Sequence, residues 1–214
     1  MTTVRDSVRF YPMRPGTAIF DQPRDWHNEY IFRPKVDGDR VMVDIENGIA
    51  MNRHGAPYTK AKLLPWDELK AFADTYRQIY NLHLDTRFLD IEFLAKHQIR
   101  KHQAVILDIP NRDIEFMTLM YHLAEDHAIQ NGVTCNFSDN IALLPWYDPL
   151  DDDTDLVMTW DNLKNRARRW MKEHKESTPY YEGFVCVKKN SMYEKQMISP
   201  TKVACHWSKM RFSR

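Results

Sequence analysis

The sequence contains few of the residues that would indicate disulfide bonds, a zinc site or a membrane segment. Its 214 residues include three cysteines, Cys135, Cys186 and Cys205, without the Cys-x-x-Cys spacing of zinc sites. An odd number of cysteines is typical of free thiols in a reducing compartment. The longest apolar stretches are about half as long as the ~20 residues that a transmembrane helix needs. We therefore expect a cytoplasmic protein with no signal peptide and no membrane partner.

The chain also has no excess charge of either sign, since 30 basic residues balance 30 acidic ones. A neutral total does not favour nucleic-acid binding, but it does not exclude it, because a basic surface can be balanced by acid elsewhere. The acid is concentrated in residues 148–155, and residues 161–175 predict a strongly basic helix. This helix is either a solvated face that balances the aspartates or a surface that follows nucleic-acid phosphates.

Hydrophobic periodicity predicts an α+β fold with mostly antiparallel sheets flanked by helices, most simply as one domain over residues 1–214. Strands are predicted at residues 29–35, 39–46, 49–53, 87–95, 102–109, 140–144, 183–188 and 203–211. Helices are predicted at residues 65–80, 113–130 and 161–175. Asn47-Gly48, between the second and third strands, predicts a type I′ hairpin turn, which needs positive φ angles.

The segment from Lys35 to Arg40, Lys-Val-Asp-Gly-Asp-Arg, carries the clearest chemistry. A lysine acts as a nucleophile when neighbouring cations or a metal favour its neutral amine. Gly38 permits a tight turn and the close approach of a ligand, and Arg40 supplies a rigid fork for phosphate oxygens. The alternative is an exposed hairpin with solvated charges. Four fixed residues, at roughly one in twenty each, occur by chance in about one in eight hundred chains of this length, which favours a functional turn.

Five further segments follow in order along the chain. They are Asn52-Arg53, Leu89-Asp90-Ile91-Glu92-Phe93, Val105-Ile106-Leu107-Asp108, Glu182-Gly183-Phe184-Val185 and Trp207-Ser208-Lys209-Met210-Arg211. In type and spacing the series resembles the motifs of covalent nucleotidyltransferases, the polynucleotide ligases and mRNA capping enzymes. The Glu-Gly pair at 182 and the Asp-Gly pair at 37 look most like DNA ligases. The resemblance implies an ATP-grasp-like nucleotidyltransferase fold.

The resemblance also implies roles for individual side chains. Lys35 would attack the α-phosphorus of ATP and hold AMP as a phosphoramidate, while Lys209 and Arg211 would bind the α-phosphate as part of the catalytic set. Glu92 and Glu182 would hold Mg²⁺ or Mn²⁺, since such ions prefer oxygen ligands. The implied nucleotide-binding residues are Arg40, Arg53, Glu92, Glu182 and Lys188.

The implied function is an ATP-dependent ligase that joins a 5′-phosphate to a 3′-hydroxyl at a break in nucleic acid, with DNA favoured over RNA. Some positions depart from the family pattern: Leu107 stands where an aromatic often stacks on adenine, and Arg33 where an acid often helps to read it. The chain ends three residues after Arg211, so we expect no C-terminal oligonucleotide-binding domain, as in a minimal phage-type enzyme. A protein partner could supply that domain instead. A virus-encoded enzyme of the host cytoplasm would suit this size.

Three alternatives remain open at this level. An RNA ligase and a capping guanylyltransferase would use the same lysine chemistry on other substrates. A non-catalytic module that binds nucleic-acid ends would keep the fold without the reaction.

Overall fold

Two β-sheets form the framework of the computed structural model. The structure describes residues 15–17, 26–79, 84–94, 104–125, 135–143, 146, 148, 165, 168–169, 172–173, 181–193 and 204–211. The first sheet has the order β1-β12-β11-β2, with β1 at Pro15–Thr17, β2 at Tyr30–Val36, β11 at Tyr181–Lys188 and β12 at Ala204–Arg211. Within it, β1 runs parallel to β12 and the other pairs are antiparallel.

The second sheet has six strands in the order β4-β3-β6-β7-β10-β9. Their bounds are Asp39–Asp44 for β3, Ile49–Asn52 for β4, Phe88–Phe93 for β6, Ala104–Asp108 for β7, Cys135–Asn136 for β9 and Ile141–Leu143 for β10. Only the β7–β10 pair of this sheet is parallel among the described strands. A separate small pair joins β5 at Leu84–Asp85 to β8 at Asn111–Arg112.

Helices α1 at Trp26–Glu29, α2 at Trp66–Ile79 and α3 at Phe116–Glu125 complete the described elements, with a 3₁₀ turn at Ala61–Leu63. In α2 the buried residues recur at three- and four-residue spacing: Leu69, Phe72, Ala73 and Tyr76. The three large ones belong to the main hydrophobic core. Burying each of the large members contributes about 1.5–3 kcal/mol relative to exposure. Within the described part of the chain, the helices are too short or too polar to cross a membrane.

The predicted α+β fold with mostly antiparallel sheets is confirmed, and each long predicted strand is present to within about two residues at its ends. The helix predicted at 113–130 is seen at 116–125, and its predicted end at 131–132 lies outside the described residues. In the predicted basic helix, the described residues 165, 168–169 and 172–173 are helical and exposed; the others lie outside the description. The short strands β1, β5, β8 and β9 were not predicted, because two or three residues carry no periodicity.

The exposed hairpin, which was the alternative interpretation of the segment from Lys35 to Arg40, is not formed. Strand β2 pairs with β11, whereas β3 pairs with β4 and β6, so residues 37–38 carry the chain from one sheet to the other. The hairpin between β3 and β4 is confirmed, although four residues, 45–48, connect the strands. Gly48 in this turn has a positive φ of 63°. The lysine thus lies where two sheets meet.

Candidate active site

A cavity of about 570 Å³ lies beside the crossing at residues 37–38 and takes its walls from both sheets. The residues that line it include most of those predicted to act on a nucleotide. Among them are Lys35, Arg40, Arg53, Glu92, Glu182 and Lys209. Apolar side chains from β7, β11 and β12 complete one wall: Leu107, Val185, Val187 and Trp207.

Lys35 is one residue from the end of β2, and its ammonium is in contact with the Glu182 carboxylate. The two side chains are 19% and 23% exposed, so the pair is neither fully buried nor free in solvent. The register explains the contact: Tyr181 pairs with Val36 and Gly183 with Lys35, which leaves Glu182 as the extra residue of a β-bulge. A bulge re-aims the side chain that it carries, and here it turns Glu182 toward the lysine.

Glu92 lies on β6 and holds the crossing between the sheets. Its Oε1 accepts a hydrogen bond from the Gly38 amide at 3.1 Å. Burial raises the pKa of Glu92 to about 7, against the opposing charges of Arg40 and Lys35. Gly38 lines the cavity, and the side on which a Cβ would stand is filled by β6: a Cβ at this position would lie 2.8 Å from Glu92 Cγ and 2.8 Å from the Phe93 carbonyl oxygen.

The guanidinium of Arg40 is held by a carboxylate in the core. Its Nε and Nη2 donate to the two oxygens of Asp90 at 2.9 and 2.5 Å, and the Tyr193 hydroxyl donates to Asp90 at 2.7 Å. The guanidinium carbon lies 5.5 Å from the centroid of the Trp207 ring, which favours the cation. Burial alone would lower the pKa of Arg40, but the attraction of Asp90 outweighs it and the pKa is raised. Arg40 is therefore a fixed cation in the cavity wall.

Strand β12 brings its basic residues to the same region. Lys209 pairs with Val185 in the register and lines the cavity. Arg211 pairs with Gly183, and Gly183 pairs with Lys35, so the backbones of these three residues lie side by side on neighbouring strands. Nothing further is described for the Arg211 side chain.

The structure does not bring Lys188 to the cavity. It follows Val187 on β11, and the register between residues 183 and 188 is unbroken, so it faces away from the cavity-lining Val185 and Val187. Its ammonium lies 3.4 Å from Glu29 Oε2.

The turn after β4 adds a basic rim that the sequence analysis only partly found. Arg53 is exposed and donates through Nε to His54 Nε2 at 3.0 Å, and both residues line the cavity. Lys60 also lines it, with Nζ 3.1 Å from Asp39 Oδ2. Tyr58 donates to the same oxygen at 3.0 Å; burial, and then this bond, raise the pKa of Tyr58. The signal for this rim in the sequence was three basic residues within eight positions, Arg53, His54 and Lys60.

Arg33, which departs from the family pattern at a position that helps to read adenine, also lies in the site. It is 4% exposed and lines the cavity, with Nη1 donating to the Leu107 carbonyl at 2.8 Å and Nη2 to the Ile106 carbonyl at 3.4 Å. Its guanidinium carbon lies 5.2 Å from the centroid of the Phe116 ring. Burial lowers the pKa of Arg33 to about 10, with Asp108 and Asp90 partly offsetting it. The signal in the sequence was an arginine, two residues before Lys35, where the family pattern often has an acid.

The donors of the cavity suit a hard divalent cation. Within the described residues, no group of three or more His, Cys, Asp or Glu side chains that could hold a metal ion is present. Mg²⁺ is usually held by one or two carboxylates together with water and substrate phosphates. Glu92 and Glu182 both line the cavity and supply two such carboxylates.

Comparison with known proteins gives a fold but no sequence relative: no protein-family model matches the chain, and no curated protein does. Solved structures match nearly all of it. A structure from a structure–function analysis of Lig E DNA ligases is 11% identical, with a TM-score of 0.54, over 94% of this chain and 68% of that one. The ligase domain of M. tuberculosis LigD is 13% identical, with a TM-score of 0.51, over 99% of this chain and 61% of that one.

A third structure, Pmar-Lig_Pre, is 15% identical, with a TM-score of 0.54, over 96% of this chain and 47% of that one. The chain thus has a ligase-domain fold, as the resemblance implied. It spans from about half to about two thirds of the structures that it matches.

Proposed function

We propose that this chain, which shares the fold of DNA ligase domains, is an ATP-dependent polynucleotide ligase that works through an adenylated Lys35. One observation carries the proposal: Lys35 lies at the crossing between the two sheets, in contact with Glu182 and inside a cavity lined by cations from both sheets. A solvated surface lysine would have neither the cavity nor the bulged partner.

The first step would be adenylation of the lysine. The Lys35 side chain is 19% exposed, so its ammonium can lose a proton to solvent. The amine then attacks the α-phosphorus of ATP, and the new N–P bond forms as the bond to the bridging oxygen breaks and pyrophosphate leaves with that electron pair. Arg40, a fixed cation, and Lys209 both line the cavity and would offset the developing phosphate charge. Glu92 and Glu182 would hold Mg²⁺ or Mn²⁺, which neutralises phosphate charge when bound.

The later steps would use the basic rim. AMP passes from Lys35 to a 5′-phosphate, and a 3′-hydroxyl then attacks that phosphate and releases AMP. Arg53, His54 and Lys60 lie at the cavity wall contributed by the turn after β4, where nucleic-acid phosphates can be held. DNA is favoured as substrate by the Asp-Gly and Glu-Gly pairs and by the DNA ligases among the structures that share the fold.

Adenylation can be tested by incubation with α-labelled ATP and Mg²⁺. We expect an acid-labile label on the wild-type protein and none on Lys35→Ala or Lys35→Arg, because neither side chain can form the N–P bond. Lys35→Arg keeps a cation beside Glu182, so it separates loss of the nucleophile from loss of the ion pair. Lys70→Ala, on the exposed face of α2, is the matched control and should label normally. A folded wild-type protein that stays unlabelled with either metal over a range of pH contradicts the proposal.

Sealing is measured separately, on nicked DNA and nicked RNA, with the labelled protein as starting material. Sealing of nicked RNA but not of nicked DNA would indicate an RNA ligase instead of a DNA ligase. Binding to nicked duplex that Lys35→Ala leaves unchanged, with no labelling, would indicate a non-catalytic module that binds nucleic-acid ends.

A further inference from the structure

Arg33 carries buried hydrogen-bonding capacity that the proposed reaction does not use. A guanidinium has five N–H donors and no acceptor, and the described contacts account for two of them, to the carbonyls of Leu107 and Ile106. Its Nε has no partner within the described residues. No carboxylate of the described chain lies within salt-bridge distance of it, unlike Arg40 and Arg112, which pair with Asp90 and Asp108. A buried cation with spare donors is costly unless a ligand uses them.

The position of Arg33 indicates which part of a nucleotide it would meet. Arg33 and Lys35 are alternate residues of β2, so their side chains leave the same face of the strand, roughly 6.7 Å apart along it. In the register Arg33 pairs with Val185, and it donates to the carbonyl of Leu107. Both of these residues line the cavity with apolar side chains. A nucleotide whose α-phosphate is at Lys35 would therefore place its base beside Arg33.

The rest of the cavity supports a nucleotide that lies with its base beside Arg33 and its phosphates toward Lys35 and the basic rim. The turn after β4 supplies Arg53, His54 and Lys60, which suit phosphates. Valine, leucine and tryptophan side chains on the Arg33 side suit the faces of a planar base: Val185, Val187, Leu107 and Trp207. The guanidinium is also fixed, because it lies over the Phe116 ring and is tied to two carbonyls. A fixed donor beside an apolar slot selects a base by its edge.

We infer that Arg33 makes the base end of this cavity accept guanine, so that GTP is a nucleotide substrate alongside ATP. Guanine presents two adjacent acceptors, O6 and N7, and an arginine that donates to both is the commonest specific contact to this base. Adenine presents the N6 amino group beside N7, so a donor-only side chain can use N7 but faces an N–H at N6. The inference rests on the proposed adenylation of Lys35, because it concerns the base of the nucleotide that Lys35 attacks.

The test compares labelling by α-labelled ATP and α-labelled GTP at equal concentrations in wild type and two variants. Arg33→Met keeps the unbranched stem and removes the donors, whereas Arg33→Lys keeps the charge and removes the fork. We expect the wild type to label with both nucleotides, and Arg33→Met to lower the GTP-to-ATP ratio by about ten-fold or more, the size of a lost bidentate base contact. Arg33→Lys should lower it too, because an ammonium cannot donate as a fork.

A second readout avoids both the reaction and any loss of folded protein. Calorimetric binding of GDP and ADP to Lys35→Ala, with and without Arg33→Met, measures base preference in protein whose folding is checked by thermal denaturation. Labelling by ATP alone, or a GTP-to-ATP ratio that Arg33→Met does not change, overturns the role of Arg33 and leaves the ligase intact. Labelling by neither nucleotide overturns the ligase proposal and this inference with it.

Discussion

A single methyl group added at Gly38 tests whether the crossing between the two sheets is as tightly packed as the structure shows. The Cβ of Gly38→Ala would lie 2.8 Å from the Phe93 carbonyl oxygen and 2.8 Å from Glu92 Cγ, where ordinary contacts begin at 3.4 Å. The Phe93 oxygen is backbone in β6, so it cannot rotate away as a side-chain end could. The crossing and β6 must therefore separate by about 0.6 Å.

The cost follows from two terms. Overpacking of this kind typically destabilises by about 1–3 kcal/mol. Separation also lengthens the 3.1 Å hydrogen bond from the Gly38 amide to Glu92, and a bond to a charged group contributes about 1.5–3 kcal/mol. We expect Gly38→Ala to lower the free energy of unfolding by about 2–4 kcal/mol. Since Lys35 is three residues away, we also expect its labelling to slow by about ten-fold or more, because small displacements of reacting groups are costly.

Urea denaturation and single-turnover labelling measure the two effects, and Gly48→Ala is the control. Gly48 has a positive φ of 63° and nothing within 4 Å of the added Cβ, so its substitution costs about 1–2 kcal/mol through the backbone alone. We expect Gly48→Ala to label at the wild-type rate. If Gly38→Ala unfolds at the wild-type urea midpoint and labels normally, the close packing of β6 against the crossing is refuted.

Two further predictions concern carboxylates on β6. Asp90→Asn should lower the free energy of unfolding by about 3 kcal/mol in urea denaturation, because it leaves the Arg40 cation without its charged partner in the core. The same change at the exposed Asp74 should cost less than about 0.5 kcal/mol. Equal costs for the two variants would contradict the buried pair. The pKa of Glu92 is about 7 in the fold against an ordinary 4.5, so the wild type loses stability as pH rises through this window. In EDTA, Glu92→Gln should match the wild type near pH 4.5 and exceed its unfolding free energy by up to about 3 kcal/mol at pH 8; a difference that does not vary with pH would contradict the raised pKa.

Local patterns predicted the elements of the fold well. The spacing of Leu69, Phe72, Ala73 and Tyr76 states which face of α2 is buried, and the structure buries that face. Alternation on β12 placed Lys209 beside the other site residues, because alternate side chains share one face of a strand. In each case the information lies within one element, so the sequence contains it.

Relations between elements were harder to predict. Strands β2 and β3 are joined by only two residues, so a hairpin was a natural alternative, yet each strand pairs with partners far along the chain, about 50 residues away for β3 and about 145 for β2. The bulge at Glu182 is equally non-local, since it exists only relative to β2. Lys188 was predicted to contact the nucleotide by its distance from Glu182 along the chain, but the alternation of β11 turns it toward Glu29.

The same limitation explains why the two arginines of the cavity wall were read differently. Arg40 was predicted to bind phosphate because its motif names it, and the structure shows that Asp90 already uses two of its donors. Arg33 was noted only as a departure from the family pattern, yet it reaches the cavity with an unpartnered Nε and with no carboxylate of the described residues in contact. Motifs report which side chains a family retains, whereas burial and pairing report which side chains still have donors for a ligand. On that criterion, we expect base selection to depend more on Arg33 than on Arg40.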